Sequence, residues 1–487
     1  MISQSFPALT FQKFFDNFGE DQPTRLIKSR DGNLLIGGHT VTYDSVNTGC
    51  GNIWLIKVDT TGTILWEREL NMSGCEELRD FAETDDGGIL FTGITTSLIP
   101  HPERGDQGFW SNALVGKIDS VGQIEWLQSY GGSNQDQAYQ LVRGPYHEFL
   151  ISGLTHSSNG EVQKNAGLSD AWSLKIDAQG RVKASQTYGG KGDDWALAAS
   201  LCKNGDFLMA GYTDSPDLGA ERVSPFGNGL LIRVSPAGQL RWIRAYPCPQ
   251  GGFFSEVKEL ENERIMVAGQ CRSSDREQRF WWLLMSPEGH VIRESLLNGP
   301  QPGYVTAALP VDNGFLLGGY STIGKSQSEY AKGGEDFWMI KLDQDGHVIW
   351  KDTFGGSADE RCVDVIEYRT GVYYALGQKK NQFTRKQTQD MDFWLVKIQE
   401  LPADSIVGSI WIRTDGNKIY HQKPTRFSAR YLHGDRFLWD FGDGTTSTEI
   451  HPLKSYDIPG LYDVTLTIFV NEHCRQRITL PKPLEVW

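Results

Sequence analysis

The chain has 487 residues, of which 39% are hydrophobic and 22% are charged, so it can bury a packed core, and extensive disorder is disfavoured. Its net charge of −14 disfavours nucleic acid and anionic membranes as partners, because the mean field of the protein repels both. Its 54 glycines accompany 15 Trp, 17 Tyr and 23 Phe, a composition typical of short strands joined by tight turns.

The N-terminus, MISQSFPALT, lacks the basic and apolar segments of a signal peptide, and no run approaches the roughly 18 apolar residues of a membrane helix. We therefore expect no direct membrane span, and either a cytoplasmic chain or a mature form whose export signal has been removed. The seven cysteines include no CxxC pair, which disfavours zinc and thioredoxin-like chemistry.

A repeat runs through most of the chain, and its most constant part is an alternating strand of the form Trp-Leu-x-Lys-x-Asp. Clear copies begin at Trp54, Leu114, Trp172, Trp338 and Trp394, and weaker copies begin at Leu230 and Trp281. The glycines that follow are 60, 58, 58, 51 and 57 residues apart and predict hairpin turns at Gly62, Gly122, Gly180, Gly238, Gly289 and Gly346. Two more strands follow in each unit, and four strands per unit predict a propeller blade.

The strand count predicts how the propeller closes. The first two strands of the unit, a and b, occur seven times, whereas the third and fourth, c and d, occur together six times. A seventh c strand, Phe393 to Ile398, has no d strand after it. Because Phe14-x-x-x-Phe18-Gly19 matches Trp126-x-x-x-Tyr130-Gly131, we predict that the N-terminal strand completes the last blade and removes two open sheet edges. The predicted fold class is an all-β, seven-bladed β-propeller over residues 1–398.

A second domain is predicted over residues 405–487, after a linker at 399–404. Trp439-Asp-Phe-Gly-Asp-Gly444 is followed by Pro459-Gly460 and the strand Leu461 to Leu466. This pattern resembles the PKD family, and the resemblance implies an immunoglobulin-like β-sandwich that is usually a noncatalytic spacer or adhesion module on extracellular proteins. Trp439 and Phe441 are expected in its core. The propeller repeat itself resembles repeats of surface and secreted proteins of Bacteroidetes-type bacteria.

Acidic residues follow several of the Gly-Gly turns, at Glu77, Asp136, Asp194 and Glu360. They form either a ring of cation ligands or a set of side chains that accept turn N–H groups, and their recurrence favours the second role. Asp343-x-Asp345-Gly346 lacks the further carboxylates of a calcium site, so a turn is expected there. A structural role is expected for the lysines of the repeat strands, Lys57, Lys117, Lys175, Lys341 and Lys397.

No HExxH or GxSxG motif occurs, so we predict no catalytic residues, no cofactor and no metal site. Two cysteine pairs, Cys50 with Cys75 and Cys248 with Cys271, flank connections on one face of the propeller. Either pair could form a disulfide, which would favour an oxidising location, or remain as free buried thiols.

The b–c connections are long in nearly every blade, whereas the a–b and c–d turns are short. Long loops often carry binding function, so we predict that this loop face contacts a protein or glycan. The candidate contact residues are Tyr43, Phe109, Trp110, Tyr330 and Phe383. The expected function is a noncatalytic extracellular or cell-surface binding and scaffold protein. The alternatives are a permanent subunit of a surface secretion, adhesion or nutrient-uptake assembly, and a glycan-active enzyme.

Overall fold

The computed structural model describes residues 5–17, 19–43, 49–72, 74–96, 111–218, 224, 226–274, 278–297, 303–321, 335–354, 359–380, 391–402, 408–412, 418–431, 436–469, 475–479 and 483–487. The chain divides into two compact units. One unit is Leu9–Ile398, and the other comprises Met1–Ala8 and Gln399–Trp487.

Strands from the described part of Leu9–Ile398 form seven four-stranded sheets, which we call blades 1 to 7. The a strands are β2 (Glu20–Lys28), β6 (Glu76–Glu83), β10 (Asp136–Arg143), β14 (Asp194–Leu201), β18 (Gly252–Glu259), β22 (Gly303–Val311) and β26 (Glu360–Arg369). The b strands are β3 (Leu34–Tyr43), β7 (Ile89–Thr95), β11 (Glu148–Thr155), β15 (Phe207–Thr213), β19 (Ile265–Arg272), β23 (Gly314–Ser321) and β27 (Val372–Lys380).

The outer half of each blade consists of a c strand and a d strand. The c strands are β4 (Gly49–Val58), β8 (Asn112–Ile118), β12 (Asp170–Asp177), β16 (Asn228–Val234), β20 (Gln278–Met285), β24 (Asp336–Leu342) and β28 (Met391–Pro402). The d strands are β5 (Ile64–Leu70), β9 (Ile124–Tyr130), β13 (Val182–Tyr188), β17 (Leu240–Tyr246), β21 (Val291–Leu297), β25 (Val348–Phe354) and, for blade 7, β1 (Ser5–Phe15).

The ring of blades is closed. The a strands of successive blades contact one another in order, and β26 of blade 7 contacts β2 of blade 1. In blade 7 the sheet order is β1-β28-β27-β26, so the N-terminal strand is the outer strand of the last blade. The predicted fold class, a propeller closed by the N-terminal strand, is therefore confirmed.

The register of the closing strand differs from the prediction, which matched Phe18 with Tyr130. Phe18 lies outside the described residues, and β1 ends at Phe15, which is buried. Phe15 precedes Asp21, the second residue of β2, by six residues, and Tyr130 precedes Asp136 by the same number. Phe15 therefore occupies the position in blade 7 that Tyr130 occupies in blade 2. The prediction was wrong by three residues because it required a glycine after the aromatic residue, whereas Asp16 follows Phe15.

The hydrophobic core lies between neighbouring blades. Among the described residues, one buried apolar cluster occupies each of the seven junctions. The cluster of the closing junction joins Phe15 and Phe393 of blade 7 to Trp54 of blade 1, with the Trp54 and Phe393 rings 4.8 Å apart. The c strands β16 and β24 are buried along their whole length because a blade covers each face, which explains their continuous apolar sequence.

The tyrosine that ends several d strands also links two blades. The hydroxyl groups of Tyr130, Tyr188 and Tyr246 each donate a hydrogen bond of 2.6 Å to the carbonyl of a glycine in the c–d turn of the next blade. Those turns are themselves closed by a side chain: Asp119 and Asp343, for example, accept turn N–H groups at 2.8–2.9 Å. The turn expected at Asp343 is confirmed.

The described residues of the second unit form ten further strands: β29 (Gly408–Ile412), β30 (Lys418–Ile419), β31 (Thr425–Tyr431), β32 (Arg436–Asp440), β33 (Thr446–Ser447), β34 (Leu453–Lys454), β35 (Gly460–Tyr462), β36 (Thr465–Phe469), β37 (Arg475–Thr479) and β38 (Leu484–Val486). Its core contains Trp439 and Phe441, as predicted, and the ring of Phe427 packs edge-on against both. The Tyr456 hydroxyl donates to the Phe441 carbonyl at 2.9 Å, so an immunoglobulin-like core is built on the tryptophan-containing strand.

The boundary between the units lies within continuous strands. The segment 399–404 was predicted as a linker; β28 extends into it as far as Pro402, and residues 403 and 404 lie outside the described part of the chain. The strand also begins earlier than the predicted Phe393, at Met391.

The register of β1 is testable by substitution. Phe15→Ala removes a buried ring from the closing junction and is expected to destabilise the propeller by about 3–5 kcal/mol. Phe14→Ala is the matched control, because the Phe14 ring is 41% exposed and is expected to contribute about 1 kcal/mol or less. Differential scanning calorimetry of the propeller transition measures both. Equal losses in the two variants would contradict the register described.

Candidate binding pocket on the loop face

The five residues predicted to form the binding face cannot define a site. Phe109, Trp110, Tyr330 and Phe383 lie outside the described residues, and so does the side chain of Tyr43, the last residue of β3. The loop face itself is described in part, because the a strands begin there and the b strands end there. The residues that shape it are those of the strand ends and of the described b–c connections.

A carboxylate near the start of the a strand organises the loop face of several blades. Asp136 accepts the N–H of Gly132 at 2.7 Å, and Asp194 accepts the N–H of Gly190 at 2.8 Å, so each carboxylate closes the turn that precedes its strand. Both are fully buried. The turn-closing role predicted for Asp136 and Asp194 is confirmed.

The prediction for blade 2 chose the wrong residue of an acidic pair. Glu76, rather than Glu77, is buried at the start of the a strand and accepts a hydrogen bond from the Thr95 hydroxyl at 3.1 Å. Glu77 is partly exposed and pairs with Arg79 at 2.6 Å. In blade 7 the predicted Glu360 is buried and pairs with Lys379 at 3.1 Å.

Blade 5 has no such carboxylate, because Gly252 stands at the start of its a strand. A disulfide between Cys248 and Cys271 links the preceding turn to the end of β19 instead. A Cβ atom on Gly252 would lie 2.5 Å from the Gln270 carbonyl oxygen, so no side chain fits there. A covalent link thus takes the place of the carboxylate that accepts turn N–H groups in blades 3 and 4, and the space above it has no carboxylate.

This space is a pocket of about 330 Å³ between blades 4 and 5, which we call the loop-face pocket. Its volume lies in the range of about 300–1,000 Å³ that is usual for ligand sites. It is lined by three aromatic residues, three amides, an arginine and two glycines: Tyr212, Phe226, Phe253, Gln250, Gln270, Gln278, Arg272, Gly251 and Gly252.

Rigid elements hold the aromatic side of the loop-face pocket. Tyr212 stacks on Trp195 with ring centroids 4.6 Å apart, and the Trp195 indole N–H donates to the Ser169 hydroxyl at 3.0 Å. Phe226 lies in the b–c connection of blade 4 and is 61% exposed, which is unusual for a phenylalanine. Ordered aromatic surface beside amide groups suits a ligand that has both apolar and hydrogen-bonding faces.

The structure answers part of the question of which cysteines form disulfides. The Cys248–Cys271 disulfide forms, and Cys202 and Cys362 are free buried thiols. Cys75 is also in a disulfide, but the side chain of Cys50 lies outside the described residues, so the pairing of these two stays a prediction. The repeated lysines make structural ion pairs where their partners are described, for example Lys57 with Asp31 at 2.7 Å and Lys175 with Glu148 at 2.5 Å.

A small polar chamber lies on the propeller axis. Every a strand has a bulge at the same position, and residues at these bulges line a space of about 120 Å³. Arg25 reaches Asp80 at 3.0 Å and Asp364 at 3.5 Å, and both carboxylates accept backbone N–H groups from the next blade at 2.9 Å. The chamber is smaller than usual ligand sites, and its groups tie blades together.

Glu256 is another charged residue of this chamber. Burial raises its pKa to about 7, against a partial opposing effect of Lys258, whose ammonium lies 4.0 Å away. It is therefore largely protonated below neutral pH.

A second open pocket of about 470 Å³ lies on the opposite face, between turns of blades 2 and 3. Asp85 anchors it by accepting hydrogen bonds from Arg30, Arg143 and His147. Tyr146 and His147 have left-handed backbone conformations, with φ of 61° and 58°, and Tyr146 is 88% exposed. Asp85 is already paired with these cations, and the exposed lining of this pocket is more polar than that of the loop-face pocket.

Comparison with known proteins supports the second domain most strongly. A PKD domain model matches residues 415–479. The chain is also 31% identical over 84 residues to the Pre-pro-metalloprotease PrtV of Vibrio cholerae, an alignment that covers 17% of this chain and only 9% of that protein. The resemblance to PKD domains is thus confirmed for this part of the chain.

Solved structures match the chain only at low similarity. A protein of unknown function from Dyadobacter fermentans DSM 18053 is 10% identical, with a TM-score of 0.43, and the match covers 81% of this chain and 99% of that one. The PQQ-bound aldose sugar dehydrogenase from Streptomyces coelicolor is 11% identical, with a TM-score of 0.37 and coverage of 82% and 99%.

None of the described segments contains a helix with the length and apolar character needed to cross a membrane.

The protonation of Glu256 predicts a pH dependence of stability. Its pKa in the folded state lies above the ordinary value of 4.5, so the stability it contributes is present below about pH 4.5 and is lost as the pH rises towards 7. Glu256→Gln keeps the side chain neutral and is expected to be more stable than the wild type at pH 8 by up to about 3 kcal/mol, with a smaller difference at pH 5. Urea unfolding at both pH values measures the difference.

The control for this comparison is Glu263→Gln in the exposed a–b turn of the same blade. It is expected to follow the wild type at both pH values. Parallel pH profiles for Glu256→Gln and the wild type would show that the chamber does not hold Glu256 protonated.

Proposed function

We propose that the chain is a noncatalytic binding and scaffold protein of the cell surface or extracellular space, and that its loop face contacts a protein or glycan. The loop-face pocket is the observation that carries this proposal. It combines exposed aromatic surface, three amides and an arginine in a space of about 330 Å³. Aromatic residues and arginine are the side chains that most often dominate the energy of binding interfaces.

The proposed location draws support from two features. The Cys248–Cys271 disulfide is typical of proteins that reside in oxidising compartments. The PKD match at residues 415–479 fits the expected role of that domain as a spacer or second contact. Membership of the repeat family of Bacteroidetes-type surface proteins is proposed on the same basis as the location.

The absence of catalytic function is also a proposal. A glycosidase needs two carboxyl groups roughly 5–10 Å apart with room for a sugar between them. The axial chamber brings Asp80, Asp364 and Glu256 together, but its volume of about 120 Å³ and the Arg25 ion pairs leave little room for a substrate. The loop-face pocket is lined by amides and an arginine as its polar groups, a set suited to binding.

The alternative, a permanent subunit of a surface assembly, is favoured by a different surface. Most d strands begin with exposed aliphatic side chains on the outer edge of the propeller, between 41% and 52% exposed: Ile64, Leu65, Ile124, Val182, Leu240, Val291, Ile292, Val348 and Ile349. A recurring apolar rim suits a lasting contact with another protein. Migration of the chain as a free 54.6 kDa species in mild extracts of its native envelope would exclude this alternative.

Binding through the loop-face pocket is tested with Phe226→Ala and Phe253→Ala. We expect each substitution to weaken binding at least tenfold, because each removes aromatic surface from the pocket. A glycan array identifies a carbohydrate ligand, and cross-linking in the native envelope followed by titration with the purified partner identifies a protein ligand. The affinity for the identified ligand is then compared between the variants and the wild type.

Tyr146→Ala is the matched control, because it removes an exposed aromatic ring from the opposite face. Its affinity is expected to equal that of the wild type. The proposal fails if Phe226→Ala and Phe253→Ala both bind as tightly as the wild type, or if Tyr146→Ala alone weakens binding.

A further inference from the structure

Three carboxylates meet where the propeller ring closes. Asp16 follows β1, Asp21 lies near the start of β2, and Asp392 lies in β28. One oxygen from each lies within 4.8 Å of the other two. The three residues therefore bring together the N-terminal strand, the first blade and the last blade.

Comparison with the junction of blades 3 and 4 shows what is special about this cluster. Asp392 corresponds to Asp170, since each stands two residues before the tryptophan of its c strand, and Asp21 corresponds to Asp194. Asp16 corresponds to Gly189, where a Cβ atom would lie 2.5 Å from Asp170 Oδ1 and 2.6 Å from Asp194 Oδ2. The closing junction thus adds a third carboxylate at a position where the other junction has no side chain.

The central carboxylate of the cluster is incompletely bonded. Asp21 is fully buried, and its Oδ2 accepts the N–H of Asn17 at 2.8 Å. Its Oδ1 accepts no hydrogen bond of standard geometry from the described residues, although the hydroxyl of Thr40, its cross-strand neighbour, lies close enough to lower its pKa. The Thr155 hydroxyl donates to Asp136 Oδ1 in blade 3, whereas Asp194 Oδ1 in blade 4 also lacks such a bond, so the third carboxylate is what distinguishes the closing junction. A buried carboxylate oxygen therefore faces a cluster that has one more acidic group than the other junction.

Three carboxylates this close repel one another, and burial increases the cost of their charges. Burial raises the pKa of Asp21 to about 7, and the charges of Asp16 and Asp392 add to the effect. Protons or a cation can relieve the repulsion. A hard divalent cation prefers carboxylate oxygens and completes its shell with water, and the exposed side chain of Asp16 leaves room for water on one side.

We propose that Asp16, Asp21 and Asp392 bind a hard divalent cation, with Ca²⁺ as the best fit, and that this cation fastens the N-terminal strand at the closure of the propeller. The fit to Ca²⁺ rests on an all-oxygen ligand set with irregular geometry and open water positions, which Ca²⁺ tolerates better than Mg²⁺. The site is independent of the loop-face pocket, which lies between blades 4 and 5.

The proposal is tested on the full chain after treatment with a chelator. Isothermal titration calorimetry with CaCl₂, and separately with MgCl₂, is performed near neutral pH. We expect saturable binding at one site, and an increase in the melting temperature of the propeller transition when the cation is present. Asp16→Gly and Asp392→Asn are expected to weaken binding at least tenfold, because each removes one carboxylate.

Asp16→Gly is the sharper of the two variants, because a glycine occupies this position at the junction of blades 3 and 4, and Asp16 is exposed. Asp170→Asn is the matched control, because it changes the corresponding acidic pair where no third carboxylate exists, and it is expected to bind the cation as the wild type does. Circular dichroism confirms that each variant is folded. The proposal is overturned if neither cation binds saturably at millimolar concentration, or if folded Asp16→Gly binds with wild-type affinity.

Discussion

The structure depends on closure of the propeller ring, because blade 7 is assembled from strands at both ends of the propeller segment. Each blade buries its faces only against its two neighbours, so every apolar cluster in the propeller requires the next blade to be in place. Blade 7 has three strands of its own and takes its fourth, β1, from the N-terminus. Phe15 then enters the same cluster as Trp54 and Phe393, so pairing of β1 with β28 fixes the contact between the first and last blades. Without that strand, the last sheet would present an open edge.

The loop face shows two chemical solutions to one problem, the fixing of the turn before an a strand. Asp136 and Asp194 use a buried carboxylate that accepts turn N–H groups. Blade 5 uses the Cys248–Cys271 disulfide and a glycine, and the space left there is the loop-face pocket. At the closing junction Asp21 accepts the N–H of Asn17 in the same way, but with two further carboxylates beside it. Two of the departures from the repeat, in blade 5 and at the closing junction, are the places where we infer specific binding.

Much of the fold follows from the sequence because the c–d hairpin is strongly marked. Its apolar strand recurs in each blade, usually followed by an aspartate and a glycine, and even the weaker copies at Leu230 and Trp281 form c strands. The N-terminal strand was correctly predicted to close the ring, but its register was not. More than one pair of phenylalanines in this segment has the four-residue spacing that was matched. The pocket was not predicted, although Phe226 lies in a b–c connection like the expected contact residues, because it arises where blade 5 lacks an acidic residue and carries Cys248. The 51-residue spacing of that blade and its Gly-Gly pair were the available signals.

Ring closure by the N-terminal strand is the central claim, because the faces of the propeller and the proposed cation site both require it. Hydrogen–deuterium exchange of the backbone amides in the Leu9–Phe15 part of β1 tests it most directly. The account predicts that these amides are protected to the same degree as those of the other outer strands, such as β9 and β13, since all pair with a c strand on one side. Exchange of β1 as fast as that of unstructured peptide, with β9 and β13 still protected, would contradict it.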